Sequence, residues 1–202
     1  MTFLRHLAMG GLLLLAGITT SAQAAPRIFL EPRVGIATNP WYTEQLLADG
    51  FLASSLILGI HASPLLAFTA RASADAAFST VGYRAWPNSS SAAIGLRICP
   101  LEGGDGGFYP FAGGSLGLVT YKHEVSNYNY PYEYVVEEER VTRLTLEAEG
   151  GIELRIARGA GVSIGASYKY TSGADPYGLY SREYVPHLIS ANLSLMLHSK
   201  HR

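Results

Sequence analysis

The chain has 202 residues, enough for one domain of ordinary size, and it carries a formal net charge of −1. Hydrophobic residues make up 48% of it and charged residues only 15%, against roughly 25% charged residues in soluble domains. The near-neutral charge gives no sign of a nucleic-acid partner. The single cysteine, Cys99, excludes an internal disulfide. Since no base adjoins it in the sequence, we interpret Cys99 as a small packing residue.

Residues 1–24 have the pattern of a secretory signal peptide. Arg5 supplies a basic start, Leu7–Ile18 is a short apolar core, and an A-x-A motif ends at Ala24. The alternative is an uncleaved anchor helix, for which the apolar core is short. We predict cleavage after Ala24, which leaves residues 25–202 as one domain. Loss of Arg5 leaves 14 basic residues (15 minus 1) against 16 acidic ones, a formal charge of −2.

Beyond the signal peptide, apolar and polar residues alternate in eight segments, as in strands with two different faces. The predicted strands are Leu30–Ile36, Leu56–Ala62, Leu66–Phe78, Ala92–Ile98, Pro110–Val119, Leu144–Ile156, Val162–Tyr170 and Ile189–Leu197. Tight turns are predicted at Ser63–Pro64, residues 102–107 and Arg158–Gly159–Ala160. Longer loops are predicted at residues 39–50, 79–91, 121–140 and 172–184. In the first of these loops Asn39, Pro40 and Gly50 are typical of the cap, first turn and exit of a short helix.

The charged residues of these strands all fall on one face. In Leu144–Ile156 the other face is entirely small or apolar, and no charged residue occupies that face in any predicted strand. A charge facing lipid near the membrane midplane costs roughly 2–4 kcal/mol, so this distribution predicts lipid outside and ions inside. The inward set contains five acids and five bases, which we predict to pair in a narrow lumen: Glu31, Arg33, Arg71, Asp75, Arg97, Glu147, Glu149, Glu153, Arg155 and Lys169.

The predicted fold is all-β, an eight-stranded antiparallel up-and-down transmembrane β-barrel. A soluble lipocalin-like barrel would have an apolar inside and a polar outside, the reverse of this pattern. If the turn after the sixth strand is Arg158–Gly159–Ala160, Glu149 and Lys169 face each other across neighbouring strands. Their Cβ atoms would then be about 4.5–5.5 Å apart.

The chain resembles the eight-stranded outer-membrane barrels of Gram-negative bacteria, of the opacity, OmpA and OmpX type. The resemblance rests on the signal peptide, on PFAGGSLGLV at Pro110–Val119, and on EAEGGIELRI at Glu147–Ile156 before a tight turn. It covers nearly all of residues 25–202. Members of the family usually end on an aromatic residue that the outer-membrane assembly machinery recognises. Here the last predicted strand ends at Leu197, which is the candidate to take that place.

The barrel pattern, with the resemblance, implies a monomer in the outer membrane, in contact with lipid and lipopolysaccharide. Short turns and both termini are expected in the periplasm, with long loops outside. Alternate residues of the third long loop are tyrosines: Tyr128, Tyr130, Tyr132 and Tyr134. One hypothesis is a surface that binds an extracellular protein or glycan; the alternative is an aromatic rim at the lipid headgroups. Likewise, the glutamates at 137–139 could bridge cations to lipopolysaccharide or form a solvated charge run.

Two further function classes stay open. Inward glycines and serines could leave a small channel for solutes. Some barrels that this chain resembles modify lipid A with a histidine and a serine on one strand face. The pairs available here are His61 with Ser63, which lies at a short turn, His187 with Ser190, which differ in face, and His123 with Ser126, in a loop. We therefore expect no enzymatic activity and no cofactor.

Overall fold

Eight strands form a closed barrel in which every neighbouring pair is antiparallel and β1 pairs with β8. The structure is a computed structural model that describes residues 27–38, 49–79, 89–100, 107–129, 133–157, 159–173 and 187–199, without the side chains of 49, 77–79 and 122–139. The strands are β1 Ile28–Thr38, β2 Asp49–His61, β3 Leu66–Ser79, β4 Ser89–Ile98, β5 Phe108–Asn129, β6 Glu133–Ala157, β7 Ala160–Thr171 and β8 His187–His198. Within these ranges, no helix is long and apolar enough to cross a membrane.

All eight predicted strands are confirmed, and so are their two faces. The outward positions form an apolar belt in which Ile94, Phe108 and Ile164 are 72%, 73% and 69% exposed. A continuous apolar surface of this kind is unfavourable in water. The predicted signal peptide lies outside the described residues.

The second strand begins earlier than predicted. β2 starts at Asp49, and Gly50 pairs with Thr38 of β1, so the helical exit predicted at Gly50 is wrong. The alternation is hidden there because Phe51 points inward and is 1% exposed, while Leu52 points outward and is 55% exposed. Two large apolar residues in succession carry no period of two. The rest of the predicted helix lies outside the described residues.

The loop predicted at 121–140 is wrong, since β5 and β6 continue through most of it. Their ladder runs without interruption from Phe108 opposite Leu154 to Asn129 opposite Glu133. Beyond Tyr121 the sequence no longer has one consistently apolar face, so its hydrophobic period disappears although the strand pairing continues. β4 likewise begins at Ser89, within the polar segment predicted as a loop, where serines gave no signal.

The turn between β6 and β7 is confirmed in place but not in register. Gly159 has a φ of 93°, a left-handed conformation that glycine adopts without strain. Ala157 pairs with Ala160, and a bulge then lies between Arg155 and Ala157. Together the shorter turn and the bulge place Glu147 opposite Lys169 and Glu149 opposite Ser167. The predicted pairing of Glu149 with Lys169 is therefore wrong by two residues.

A closed barrel has no strand edge at which unzipping can begin. We expect the protein extracted from membranes to resist SDS and to migrate faster on gels before boiling than after. Equal mobility of boiled and unboiled samples would contradict barrel closure.

A charge on the outward face should destabilise the barrel where a neutral change inside does not. Ala148→Arg should lower the free energy of unfolding in bilayers by roughly 2–4 kcal/mol. Ser167→Ala removes one hydroxyl, bonded at 2.7 Å to Ser190 Oγ, and should stay within about 1 kcal/mol. Urea titrations of refolded protein measure both, and equal losses would contradict the assigned faces.

Candidate functional site

Three arginines surround one carboxylate in the middle of the lumen. Glu149 of β6 accepts hydrogen bonds from Arg33 Nη1 and from Arg97 Nε, each at 2.8 Å, and also pairs with Arg71. The arginines belong to β1, β4 and β3. A single side chain therefore connects four strands across the inside of the barrel.

Two of these arginines also bind a second buried carboxylate. Glu31 Oε2 accepts from Arg97 Nη1 at 2.5 Å, and Glu31 Oε1 accepts from Arg33 Nη2 at 2.8 Å and from Ser194 Oγ at 2.6 Å. Glu31 and Arg97 are both 0% exposed. Removing such ions from water costs several kcal/mol each, which only multiple close partners offset.

The remaining inward charges form further pairs. Arg71 binds Glu147. Lys169 Nζ lies 2.7 Å from Asp75 Oδ2, and Arg155 Nε lies 3.3 Å from Glu153 Oε2. The structure thus places all ten sequence-predicted lumenal charges in the interior, each with an ion-pair partner. They divide into three electrically neutral groups, with three acids and three bases around Glu149 and one of each in the other two.

An apolar layer lies at each end of this ionic middle, and neither was predicted from the sequence. At the long-loop end the layer consists of Ala37, Phe51, Val119, Tyr121 and Leu188. At the short-turn end it consists of Phe29, Ile57, Ala67, Cys99, Phe111 and Met196. The guanidinium carbon of Arg97 lies 5.3 Å from the ring centre of Phe29 and 4.8 Å from that of Phe111. The sequence shows the inward apolar residues near these strand ends, but they are mixed with polar ones such as Glu153 and His61.

A small cavity remains between the ionic groups. Its volume is about 30 Å³, and its lining includes Arg33, Arg71, Glu147 and Lys169. A buried water needs about 10–15 Å³ of such space. The cavity therefore has room for a water molecule or two but not for a larger solute.

The hairpin of β5 and β6 extends past its neighbours. The last pair between β4 and β5 is Ser89 with Tyr121, and β7 stops pairing with β6 at Thr145. Residues 122–129 therefore pair only with β6 in the described part of the chain, over about 27 Å at 3.4 Å per residue. We call residues 122–129 and 133–140 the ribbon.

Two of the four candidate surface tyrosines belong to this ribbon. Tyr128 and Tyr134 are register partners close to its tip. Tyr130 and Tyr132 lie outside the described residues. The side chains of the glutamates at 137–139 are not described. The structure thus brings two of the four tyrosines together on neighbouring strands.

No family model and no curated protein sequence matches the chain. Three solved structures are similar to it with a TM-score of 0.53. The N-terminal β-barrel domain of Pseudomonas aeruginosa OprF is 9% identical and covers 88% of this chain and 100% of that domain. Neisserial surface protein A is 10% identical over 85% and 96% of the two chains. A major outer membrane protein of Thermus thermophilus is 9% identical over 87% and 100%.

The chain has the fold of the eight-stranded outer-membrane β-barrels. At these identities the likeness establishes the fold, which the sequence analysis predicted. It carries no ligand or reaction over to this chain.

The structure describes the side chains of two of the three histidine–serine pairs considered for catalysis. Ser63 Oγ accepts a hydrogen bond from the Leu66 amide at 3.0 Å within its turn. The His61 ring packs against Phe29 of the apolar layer at the short-turn end. His187 Nδ1 lies 2.6 Å from the hydroxyl of Tyr168 on the outer face, whereas Ser190 faces the lumen. The side chains of His123 and Ser126 are not described.

Cys99 is buried, as a packing residue would be. Burial raises the pKa of its thiol to about 11, and the thiolate is the reactive form. In the described residues, no group of three or more His, Cys, Asp or Glu side chains is placed to hold a metal ion.

Replacing Glu149 should be among the most damaging single changes in the lumen. Glu149→Gln leaves three arginines short of one carboxylate, and breaking a buried pair typically costs about 3–5 kcal/mol. The free energy of unfolding in bilayers measures this loss. A loss no larger than that of Ser167→Ala would contradict the arrangement around Glu149.

Double-mutant cycles test which carboxylate Lys169 binds. Asp75→Asn with Lys169→Met should show a coupling in the range of about 0.5–3 kcal/mol, as for groups in contact. Glu149→Gln with Lys169→Met should show a smaller coupling, since their nearest charged partners differ. The reverse order would restore the register predicted from the sequence.

Proposed function

We propose that this chain is a monomeric outer-membrane barrel whose lumen is a structural core and whose ribbon binds an extracellular protein or glycan. The apolar belt is suited to lipid, and the fold is that of proteins from outer membranes. In this proposal both termini and the short turns are periplasmic, and the ribbon lies outside the cell. The outer-membrane assembly machinery and lipopolysaccharide are the partners that such a location implies.

The observation that carries the proposal is the distance between the ribbon's tyrosines and the lipid-facing belt. Tyr168 and Tyr170 on the outward face of β7 occupy the place of an interfacial aromatic belt. Tyr170 pairs with Leu146, twelve residues along β6 from Tyr134. Twelve residues span about 40 Å along a strand. Even at a tilt of about 45° the tip tyrosines lie well beyond the headgroups, which favours contact with a partner over an aromatic rim.

Tyrosine suits such a role because it offers a large contact area and a polar tip while losing little side-chain entropy. The ribbon itself stands on a barrel held rigid by its ionic interior. A binding element carried by a rigid scaffold is a common arrangement in proteins. The two apolar layers count against the small channel, the alternative function.

The test is a binding screen with a ribbon-deleted variant. Residues 124–138 are replaced by Asn-Gly, because His123 and Glu139 are register partners and Asn-Gly closes a two-residue hairpin. Proteoliposomes carrying the intact chain should bind at least one member of a panel of glycans and extracellular-matrix proteins. The deleted variant should lose that binding while keeping its heat-modifiable migration.

A matched pair of tyrosine variants sharpens the test. Tyr128→Ser with Tyr134→Ser should reduce binding as the deletion does. Tyr168→Ser with Tyr170→Ser, at the belt, should leave binding unchanged. Equal binding profiles of the intact and ribbon-deleted proteins would contradict the proposal.

A further inference from the structure

The thiol of Cys99 contacts the imidazole of His61 in the apolar layer at the short-turn end. Cys99 Sγ lies 4.0 Å from His61 Nε2, and the two residues are 4% and 9% exposed. Cys99 follows β4 and His61 ends β2. The backbone fixes Cys99 through a 2.8 Å hydrogen bond from its amide to the Leu65 carbonyl, beside the turn that follows His61. The contact therefore joins chain segments 38 residues apart.

The buried imidazole ring of His61 forms no strong side-chain hydrogen bond among the described residues. Its Nδ1 has no hydrogen-bond partner of normal geometry among the described residues, although the backbone of Ser63 interacts with the ring, and a thiol is a weak donor to Nε2. The ring packs edge-on against Phe29 at 5.7 Å between ring centres. A buried polar group without strong partners lowers stability. A ligand held by Nε2 would compensate the ring for its burial.

The separation of the two atoms matches a metal ion held between them. Bonds as long as those of zinc, about 2.3 Å to sulfur and about 2.0 Å to nitrogen, are together close to the 4.0 Å separation, so an ion held by both atoms would lie near the line that joins them. No third His, Cys, Asp or Glu side chain of the described residues joins the pair. Zinc usually takes four ligands, so a two-ligand site does not suit it. Soft thiolate ligands select Cu(I), and monovalent copper and silver accept two ligands.

Charge balance leads to the same choice. A thiolate with a monovalent ion and a neutral imidazole carries no net charge, so it can lie among Phe29, Phe111 and Met196 without a counter-ion. A divalent ion would add one positive charge, and Glu153, which acts electrostatically on the thiol, already pairs with Arg155 and His198. We propose that Cys99 and His61 form a two-coordinate site for a soft monovalent metal ion, Cu(I) or Ag(I). On binding, the thiol releases its proton to solvent, sulfur and Nε2 each donate a lone pair, and no oxidation state changes.

The experiment titrates Cu(I) into the full chain, purified from membranes in detergent under reducing anaerobic conditions, against a colorimetric Cu(I) chelator. The intact protein should bind one Cu(I) per chain, and binding should protect Cys99 from a thiol-alkylating reagent. Cys99→Ser should abolish this binding. Loss of an outer-shell partner alone weakens metal binding about 10–100-fold, so His61→Phe, which keeps an aromatic ring against Phe29, should weaken it by at least about 100-fold.

His187→Phe is the matched control, since His187 lies on the outer face and should not affect binding. Heat-modifiable migration checks that each variant is folded. The proposal is overturned if Cys99→Ser binds as much Cu(I) as the intact protein, or if folded His61→Phe binds as tightly as the intact protein. It is also overturned if Zn²⁺ displaces Cu(I) at equal concentration, since that would require more ligands than these two.

Discussion

The carboxylate of Glu149, held by Arg33, Arg71 and Arg97, is the interaction on which the rest of the structure depends. Each of these ions is removed from bulk water, and none can be left without its partners. The three arginines come from three strands, none of which is a direct neighbour of β6 in the barrel. Their convergence therefore requires a closed barrel in one register, because an open sheet would leave them unpaired. No charge lies on the outward face of the eight segments predicted as strands, because a charge that faces lipid is costly.

The apolar layers at both ends stabilise this arrangement by keeping water away from it. Phe51 and its neighbours lie above the ionic groups, and Phe29 and Phe111 lie below, against the guanidinium of Arg97. Weaker competition from water strengthens the ion pairs that remain. The barrel thus reverses the usual arrangement of a soluble protein, because its charged residues lie in the interior and its apolar belt lies outside. In the proposed function, binding therefore belongs to the parts that project from the barrel, above all the ribbon.

The fold could be predicted from the sequence because the period of two persists wherever lipid contacts one face. The strand prediction failed in the ribbon and in the serines at 89–91, where the sequence has no consistently apolar face. It also failed at Phe51 next to Leu52, where both faces are apolar. The inward location of the ten charges followed from the same parity. Their partners did not, because a bulge near Arg155 shifts β7 against β6, and because Glu149 binds strands far away in sequence. The contact between Cys99 and His61 depends on closure of the barrel's short-turn end, which spacing along the chain does not reveal.

The central claim is that the lumen is a solid, ion-paired core closed by apolar side chains at both ends. Single-channel recording in planar bilayers tests it most directly, with insertion verified by protease treatment of the ribbon. The account predicts no steady current above that of the bare bilayer in molar potassium chloride. A steady ohmic conductance from folded, heat-modifiable protein would contradict it.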